Sequence, residues 1–263
     1  MADLPVSKQR DITSYDAGTV KHIQDAVVEE YPLTMYLNGA ELATMVCSPA
    51  GFDELAAGFL LSEGLVRQPS DLLEVRVNEE EGSLFIMTAR GTSQHTGAGR
   101  RHITSGAGKS GTHFRFINAA REIPPNHSPA LFAPPHLLEM IDQLQQRSAT
   151  FMRTGGVHSA ALADTDGMIC MFEDIGRHNA VDKVLGYAFL NRIPSQDKIL
   201  LLSGRIASEI LLKAARAGIP LVLSRSAPTG LTIDLAEELN ITVVGFARGK
   251  RLSIYTHPKR VLL

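Results

Sequence analysis

The stretch EDIGRHNAVDKVLGYAFL, residues 173–190, joins a dense polar cluster directly to a predicted helix. Its apolar residues recur at steps of three and four and so form one buried helical face: Val181, Val184, Leu185, Ala188 and Phe189. The polar groups gather where the helix begins, and free backbone N–H groups and the helix dipole favour an anion there. These residues alone leave two interpretations, a solvated helix start or one wall of a ligand site.

Beyond this stretch, the second half of the chain alternates predicted strands and helices. Continuous apolar runs such as Ile199–Leu202 indicate strands buried on both faces, typical of a parallel sheet with helices outside. The predicted strands are 158–163, 168–172, 198–202, 220–223, 241–246 and 252–255, and the other predicted helices are 136–146, 206–217 and 229–239. We therefore expect an α/β fold whose larger domain, 131–263, is an α/β/α sandwich with a mixed, mostly parallel sheet.

The first half of the chain predicts a smaller α+β unit made of local hairpins. Strands at 27–37 and 41–46 flank Asn38-Gly39, a strong hairpin signal. A helix is expected at 52–63, and a second hairpin at 71–77 and 83–89. We expect a polar, loosely attached segment at 1–25 and a small domain at 26–130. That domain includes a mobile loop rich in glycine and serine at 90–111.

Composition limits the classes of function. The chain has 263 residues and a formal net charge of −2, which argues against a general nucleic-acid-binding protein. Its two cysteines form no disulfide framework and fit a reducing compartment. The first ten residues are polar, and no apolar stretch approaches the ~20 residues that span a membrane. We expect a cytoplasmic protein without membrane contact.

Three predicted strands end in a similar way, with serine, glycine and arginine. In an open α/β sheet, ligands bind beyond the carboxyl ends of the strands, so parallel strands would gather these groups at one edge. The segments are Ser203-Gly204-Arg205, Ser224-Arg225-Ser226 and 245–251. Arginines, helix starts and glycines in this arrangement suit phosphates, especially a nucleotide or dinucleotide. The alternative is a row of ordinary helix caps and surface arginines.

One further motif is a candidate for ligand contact, and two kinds of site, a P-loop and a zinc deaminase site, are rejected. Gly155-Gly156 precedes a strand that begins at His158, which could reach the same edge. The segment 106–110 resembles a P-loop, but Ile103 occupies the position of the required first glycine, so we reject a P-loop. A zinc deaminase would need a Pro-Cys-x-x-Cys helix start, which the sequence lacks, so no metal ligands are predicted.

Several of these segments resemble the FdhD/NarQ family of formate dehydrogenase accessory sulfurtransferases. The resemblance rests on EDIGRHNAVDK at 173–183, TGGVH at 154–158, SGR at 203–205, SRSAPT at 224–229, GFAR at 245–248, MVCSP at 45–49 and ELAAGFLLSEG at 54–64. It implies a homodimer whose larger domain is similar to cytidine deaminases. It also implies that sulfur passes from a cysteine desulfurase, as a persulfide, to the molybdenum or tungsten bis-guanine-dinucleotide cofactor of formate dehydrogenase.

The resemblance and the strand ends together predict a cofactor-binding set. It consists of Gly155, Gly156, His158, Arg177, His178, Asn179, Asp182, Lys183, Ser203, Gly204, Arg205, Ser224, Arg225, Ser226, Phe246, Ala247, Arg248, Gly249, Lys250 and Arg251. No resident zinc is expected.

One position departs from the family pattern. The loop Thr-Ser-x-Cys-Gly that carries the family's persulfide reads Thr-Ser-Gly-Ala-Gly here, with Ala107 at the cysteine position. A methyl group cannot form a persulfide. We expect Cys47 and Cys170 to be inert core residues, so this chain should bind the cofactor but fail in sulfur transfer. The alternative is a cofactor chaperone or guanine-nucleotide-binding module that performs no covalent chemistry.

Overall fold

The computed structural model describes residues 4–89, 101–102 and 119–263. The strands in this part of the chain are β1 Ser7–Asp16, β2 Thr19–Val28, β3 Tyr31–Leu37, β4 Ala40–Cys47, β5 Leu72–Asn78, β6 Ser83–Thr88, β7 Arg101–His102, β8 His158–Ala163, β9 Met168–Asp174, β10 Ile199–Leu202, β11 Leu221–Ser224, β12 Thr242–Arg248 and β13 Arg251–Ile254. The α-helices are α1 Phe52–Ser62, α2 Pro134–Arg147, α3 Ala149–Thr154, α4 Arg177–Leu190, α5 Ser208–Arg216 and α6 Gly230–Glu238.

A six-stranded sheet in the order β13-β12-β11-β10-β8-β9 forms the larger unit. It is mixed, as predicted, but parallel pairing is confined to β10, β11 and β12. The other three pairings, β10 with β8, β8 with β9 and β12 with β13, are antiparallel. The prediction of a mostly parallel sheet is therefore wrong for strand pairing, because β8 and β13 run against their neighbours.

Helices cover both faces of this sheet. Side chains alternate along each strand, so Leu200 and Val222 pack with α4, α5 and α6, whereas Leu201 and Leu223 pack with α2. These strand residues are completely buried. The apolar run in β10 thus has the predicted two-sided burial, and the unit is a three-layer α/β/α arrangement.

A second sheet, β5-β6-β3-β4-β7, packs against α1 around Leu33, Met35, Leu55 and Leu60. Helix α1 also lies directly against α4. A Cβ at Gly58 would overlap the carbonyl oxygen of Asp182, so these helices approach to backbone contact. Phe189 of α4 belongs to the smaller core, which continues the contact between the two units.

The amino-terminal segment differs from the prediction. Strands β1 and β2 form a regular antiparallel hairpin with ten Cα partners, from Ser7↔Val28 to Asp16↔Thr19. Its turn, Ala17-Gly18, has positive φ at both residues, as tight hairpin turns require. Backbone pairing thus gives residues 7–25 a regular structure that the sequence did not predict, although most of their side chains are exposed. In the described ranges, none of the helices combines the length and apolar character needed to cross a bilayer.

Candidate anion-binding site

One edge of the larger sheet collects the predicted site segments; we call it the carboxyl edge. Here β9, β10, β11 and β12 end, and β8 begins. Leu202 pairs with Ser224 and Leu223 pairs with Val244, so the three segments that follow these strands are neighbours. The antiparallel β8 brings in His158, whose Nδ1 would lie 3.3 Å from a Cβ placed on Gly204. The structure thus gathers the predicted strand ends.

Hydrogen bonds fix the loops of this edge to one another. The Ser224 hydroxyl donates to the Gly204 carbonyl (2.6 Å) and accepts from the Ser226 N–H (3.0 Å). The Phe246 N–H donates to the Ser226 carbonyl (3.1 Å). The Ser203 hydroxyl oxygen accepts from the Ser159 N–H (2.9 Å), which leaves the Ser203 hydroxyl hydrogen available to another acceptor. Ser224 is completely buried, so it supports the edge and does not line it, contrary to the prediction.

The cationic side chains of this edge are unpaired within the described part of the chain. There, none has an acidic group within salt-bridge distance, whereas several other lysines and arginines of the protein do. These cations are Arg177, Arg205, Arg225, Arg248, Lys250 and Arg251. Arg248 and Arg251 even face each other as a cross-strand pair, which is unfavourable for like charges unless an anion lies between them. This arrangement suits a multiply charged anion.

Phe246 marks a strained position at the end of β12. Its φ of 50° is left-handed, a conformation that costs a bulky residue about 1–2 kcal/mol. A pocket of about 140 Å³ is lined by Phe246, Arg248 and Arg251, and the Arg248 guanidinium lies 6.0 Å from the Phe246 ring centroid. Backbone strain of this kind concentrates at functional sites. The ring and the guanidinium offer a flat apolar and cationic surface to a ligand.

Two histidines lie where β8 meets the start of α4. Burial lowers the pKa of His158, and the positive charges of Arg177 and His178 lower it further, while Asp174 acts in the opposite direction. His158 is therefore neutral at pH 7. His178 Nε2 lies 2.9 Å from Glu209 Oε2. The His178 imidazole beside it lowers the pKa of Glu209 although partial burial opposes the change, so Glu209 is a carboxylate among cations.

Three predicted ligand residues on α4 have other roles in the structure. Lys183 is 1% exposed and forms an ion pair with Asp174 at 2.5 Å. Asp182 is 2% exposed, accepts from the Ser62 hydroxyl (2.7 Å) and pairs with Lys213 (2.6 Å). The Asn179 amide donates to Asp174 and to the Val46 carbonyl. The prediction that Asp182 and Lys183 offer side chains to a ligand is wrong, because α4 is covered by the sheet and by α1.

Four further residues of the predicted cofactor-binding set have structural roles. Ala247 is completely buried in the core, so its side chain is not at a ligand surface. Gly156 packs closely against Val28 of the β1–β2 hairpin. A Cβ at residue 156 would lie only 2.8 Å from Val28 Cγ2. Gly155 ends α3 with φ 66°, and Gly249 turns β12 into β13 with φ 58°. The left-handed region favours glycine at both positions.

Neither cysteine of the chain is a ready thiolate. Burial raises the pKa of Cys47 to about 12, and burial likewise raises that of Cys170 to about 12. A thiol with so high a pKa is protonated at neutral pH and is a poor nucleophile. Position 107, where the family pattern places its cysteine, lies outside the described residues, as does most of the 90–111 loop.

Sequence reasoning missed three residues that shape this site. Asp174 and Ser48 form its buried support, and Glu209 contacts His178. The only sequence signal for Asp174 is its place in the opening stretch, nine residues before the oppositely charged Lys183.

Over the ranges 4–89 and 119–263, no cluster of three His, Cys, Asp or Glu side chains is arranged to hold a metal ion.

Comparison with known proteins identifies the family. The FdhD/NarQ family model matches residues 28–262. Proteins named "Sulfur carrier protein FdhD" match nearly end to end: that of Halalkalibacterium halodurans is 44% identical over 98% of this chain and 96% of its own, and that of Bacillus subtilis is 42% identical over 97% and 98%. A crystal structure titled as a formate dehydrogenase accessory protein from Desulfotalea psychrophila is 25% identical, with a TM-score of 0.81 over 98% of this chain and 100% of its own. The chain belongs to the FdhD/NarQ family.

Proposed function

We propose that this protein acts in the maturation of formate dehydrogenase by binding the molybdenum or tungsten bis-guanine-dinucleotide cofactor at the carboxyl edge. The observation that carries the proposal is the set of unpaired arginines around glycine and serine loops, which matches the charge of a diphosphate. The names of the relatives and of the similar structure support a role in the maturation of formate dehydrogenase. The cofactor is cargo, so the protein's residues bind and orient it.

Binding of GDP, a fragment of that cofactor, tests the site. We expect isothermal titration calorimetry to show binding that Arg205→Ala or Arg177→Ala weakens by about tenfold or more, since each removes a charge-assisted hydrogen bond worth ~1.5–3 kcal/mol. Lys259→Ala is the charge-matched control, because the neighbouring His257 lies beside Thr242, at the opposite edge of the sheet. Unchanged affinity in both arginine variants would refute the site.

We propose further that sulfur transfer fails in this chain at position 107. In a competent carrier, a cysteine thiolate would attack the terminal sulfur of a cysteine desulfurase persulfide, forming a new S–S bond while the donor leaves as a thiolate. Ala107 has no sulfur, and the high pKa of Cys47 and of Cys170 makes each a poor substitute.

Restoring the thiol tests this part of the proposal. Ala107→Cys, incubated with a cysteine desulfurase and cysteine, should gain about 32 Da at residue 107 as a persulfide. The unaltered chain is the control and should show no gain. A mass gain on Cys47 or Cys170 of the unaltered chain would show that another thiol carries the sulfur.

A cofactor chaperone without covalent chemistry is the second candidate, favoured by Ala107 and the two protonated thiols. The two candidates differ in cells that lack their own FdhD protein. If the unaltered chain restores formate dehydrogenase activity and gains no mass on Cys47 or Cys170, it acts as a chaperone. If only Ala107→Cys restores activity, the family role is sulfur transfer.

We propose on the basis of the resemblance a homodimer and a deaminase-like fold for residues 131–263, and on the basis of composition a cytoplasmic location. Light scattering should give about twice the mass of one chain. Elemental analysis should find no stoichiometric zinc, and stoichiometric zinc would instead favour deaminase chemistry.

A further inference from the structure

The Asp174 carboxylate is the centre of a buried network beneath the carboxyl edge. It is completely buried and accepts hydrogen bonds on both oxygens. Oδ1 accepts from the Gly176 N–H (2.8 Å) and the Asn179 amide (3.0 Å). Oδ2 accepts from the Ser48 N–H (3.1 Å) and from Lys183 Nζ (2.5 Å). The charge is thus fully satisfied within the protein.

This network connects the two units of the molecule. Ser48 directly follows β4 of the smaller sheet, and its hydroxyl accepts from the Ile175 N–H (3.1 Å). Lys183 also donates to the Ser48 carbonyl (3.2 Å), and Asn179 donates to the Val46 carbonyl (2.9 Å). The turn between β9 and α4 is therefore held by the end of β4 as well as by its own backbone.

Net stability is a weak explanation for such a network. Replacing a buried ion pair by apolar side chains of similar size is often neutral or stabilising. What this network determines is geometry, because the bonds to Gly176, Asn179 and Ile175 set the direction of the first turn of α4. A side chain at residue 176 would meet this network, since a Cβ there would lie 2.7 Å from Asn179 Nδ2. Arg177 and the free N–H groups of α4 follow directly.

We propose that Asp174 is a positioning residue which, together with Ser48, aims Arg177 and the first turn of α4 at the ligand on the carboxyl edge. The inference rests on the proposed anion-binding function. The end of β4, in the smaller unit, thereby contributes to ligand affinity, although this segment lies beneath the binding surface. Asp174 itself does not touch the ligand.

Two neutral double variants of the full chain test this role. Asp174→Asn with Lys183→Met keeps an oxygen that can accept from Gly176 and Asn179. Asp174→Leu with Lys183→Met keeps the branching at Cγ but has no acceptor, and neither variant leaves an unpaired buried charge. With GDP as the probe in calorimetry, we expect the Asn variant to bind within about threefold of the native protein. The Leu variant should bind about tenfold more weakly, because a misdirected Arg177 loses its charge-assisted hydrogen bond to the phosphate.

The outcomes separate the inference from the function on which it rests. If the native protein does not bind GDP, the proposed function fails and the inference fails with it. If the native protein binds and the folded Leu variant binds as tightly as the Asn variant, only the positioning role is refuted. Should the Leu variant not fold, Ser48→Ala replaces it: it removes the acceptor for Ile175, and the inference requires weaker GDP binding, so native affinity would refute it.

Discussion

At the scale of single residues, His158 makes the stability of the folded protein depend on pH. Its pKa in the folded protein is lowered by burial and by Arg177 and His178, whereas in the unfolded chain it titrates near 6.5. Between these two values the unfolded chain binds more protons, so this residue makes stability rise with pH. Its contribution is complete above pH 6.5 and is lost as the pH falls towards the folded pKa.

We therefore expect His158→Asn to reduce the pH dependence of stability. Between pH 7.5 and 5.5 the melting temperature of the native protein should fall more than that of the variant. The window lies above the lowered pKa of Glu209, so this carboxylate stays charged throughout. Differential scanning fluorimetry at both pH values measures the effect in two proteins that differ only at residue 158. A steeper fall in the variant would contradict the assignment.

The residues that sequence reasoning placed well are those that follow the ends of strands. Arg205 and Arg225 lie at the carboxyl edge because a parallel strand order carries them there. Asp182 and Lys183 could not be assigned in this way, since a polar residue on a helix normally indicates a solvated face. Here α4 is buried on both sides, and its charges are matched by Lys213 and Asp174. A single sequence contains no pattern that identifies ion pairs between residues of distant segments.

At the scale of elements, the contact between α1 and α4 depends on glycine. A Cβ on Gly58 would overlap the Asp182 carbonyl oxygen, and one on Gly186 would overlap the Glu54 carbonyl oxygen. We expect Gly58→Ala or Gly186→Ala to cost about 3 kcal/mol or more, because helix backbones must separate. Gly230→Ala is the control, since a Cβ at the first residue of α6 meets nothing within 4 Å.

Urea unfolding followed by circular dichroism measures these changes. The control should keep or slightly raise the free energy of unfolding, because alanine loses less chain entropy than glycine. A Gly58→Ala protein as stable as the native one would mean that the two helices are further apart than the structure places them.

Elements with strong local signals were predictable, and weakly patterned ones were not. The prediction of strand 158–163 is confirmed by β8 with both boundaries correct, and Asn38-Gly39 does form the turn between β3 and β4. The β1–β2 hairpin was missed because most of its side chains are exposed on both faces, so no apolar alternation marks it. The short α3 was missed because none of its residues is buried.

At the scale of the whole molecule, the two units that the sequence separates at residue 130 share their cores. Leu61 of α1 packs against both hydrophobic clusters, and Phe189 of α4 lies in the smaller one. Polar contacts cross the same boundary, from Ser48 to Asp174 and from Ser62 to Asp182. An interface built of core residues and buried charges differs from the exposed, polar boundary typical of independent domains.

We therefore expect the two units to unfold as one. If α1 separated from α4, the Asp174–Lys183 pair would lose its Ser48 partners and the packed face around Gly58 and Gly186 would meet water. Either loss removes stabilisation from both cores, so a state with one unit folded should not accumulate. Calorimetry should show a single transition whose calorimetric and van't Hoff enthalpies agree, and residues 131–263 expressed alone should lack fixed tertiary structure. Two separated transitions, or a folded fragment, would instead establish two independent domains joined by a contact of little energetic weight.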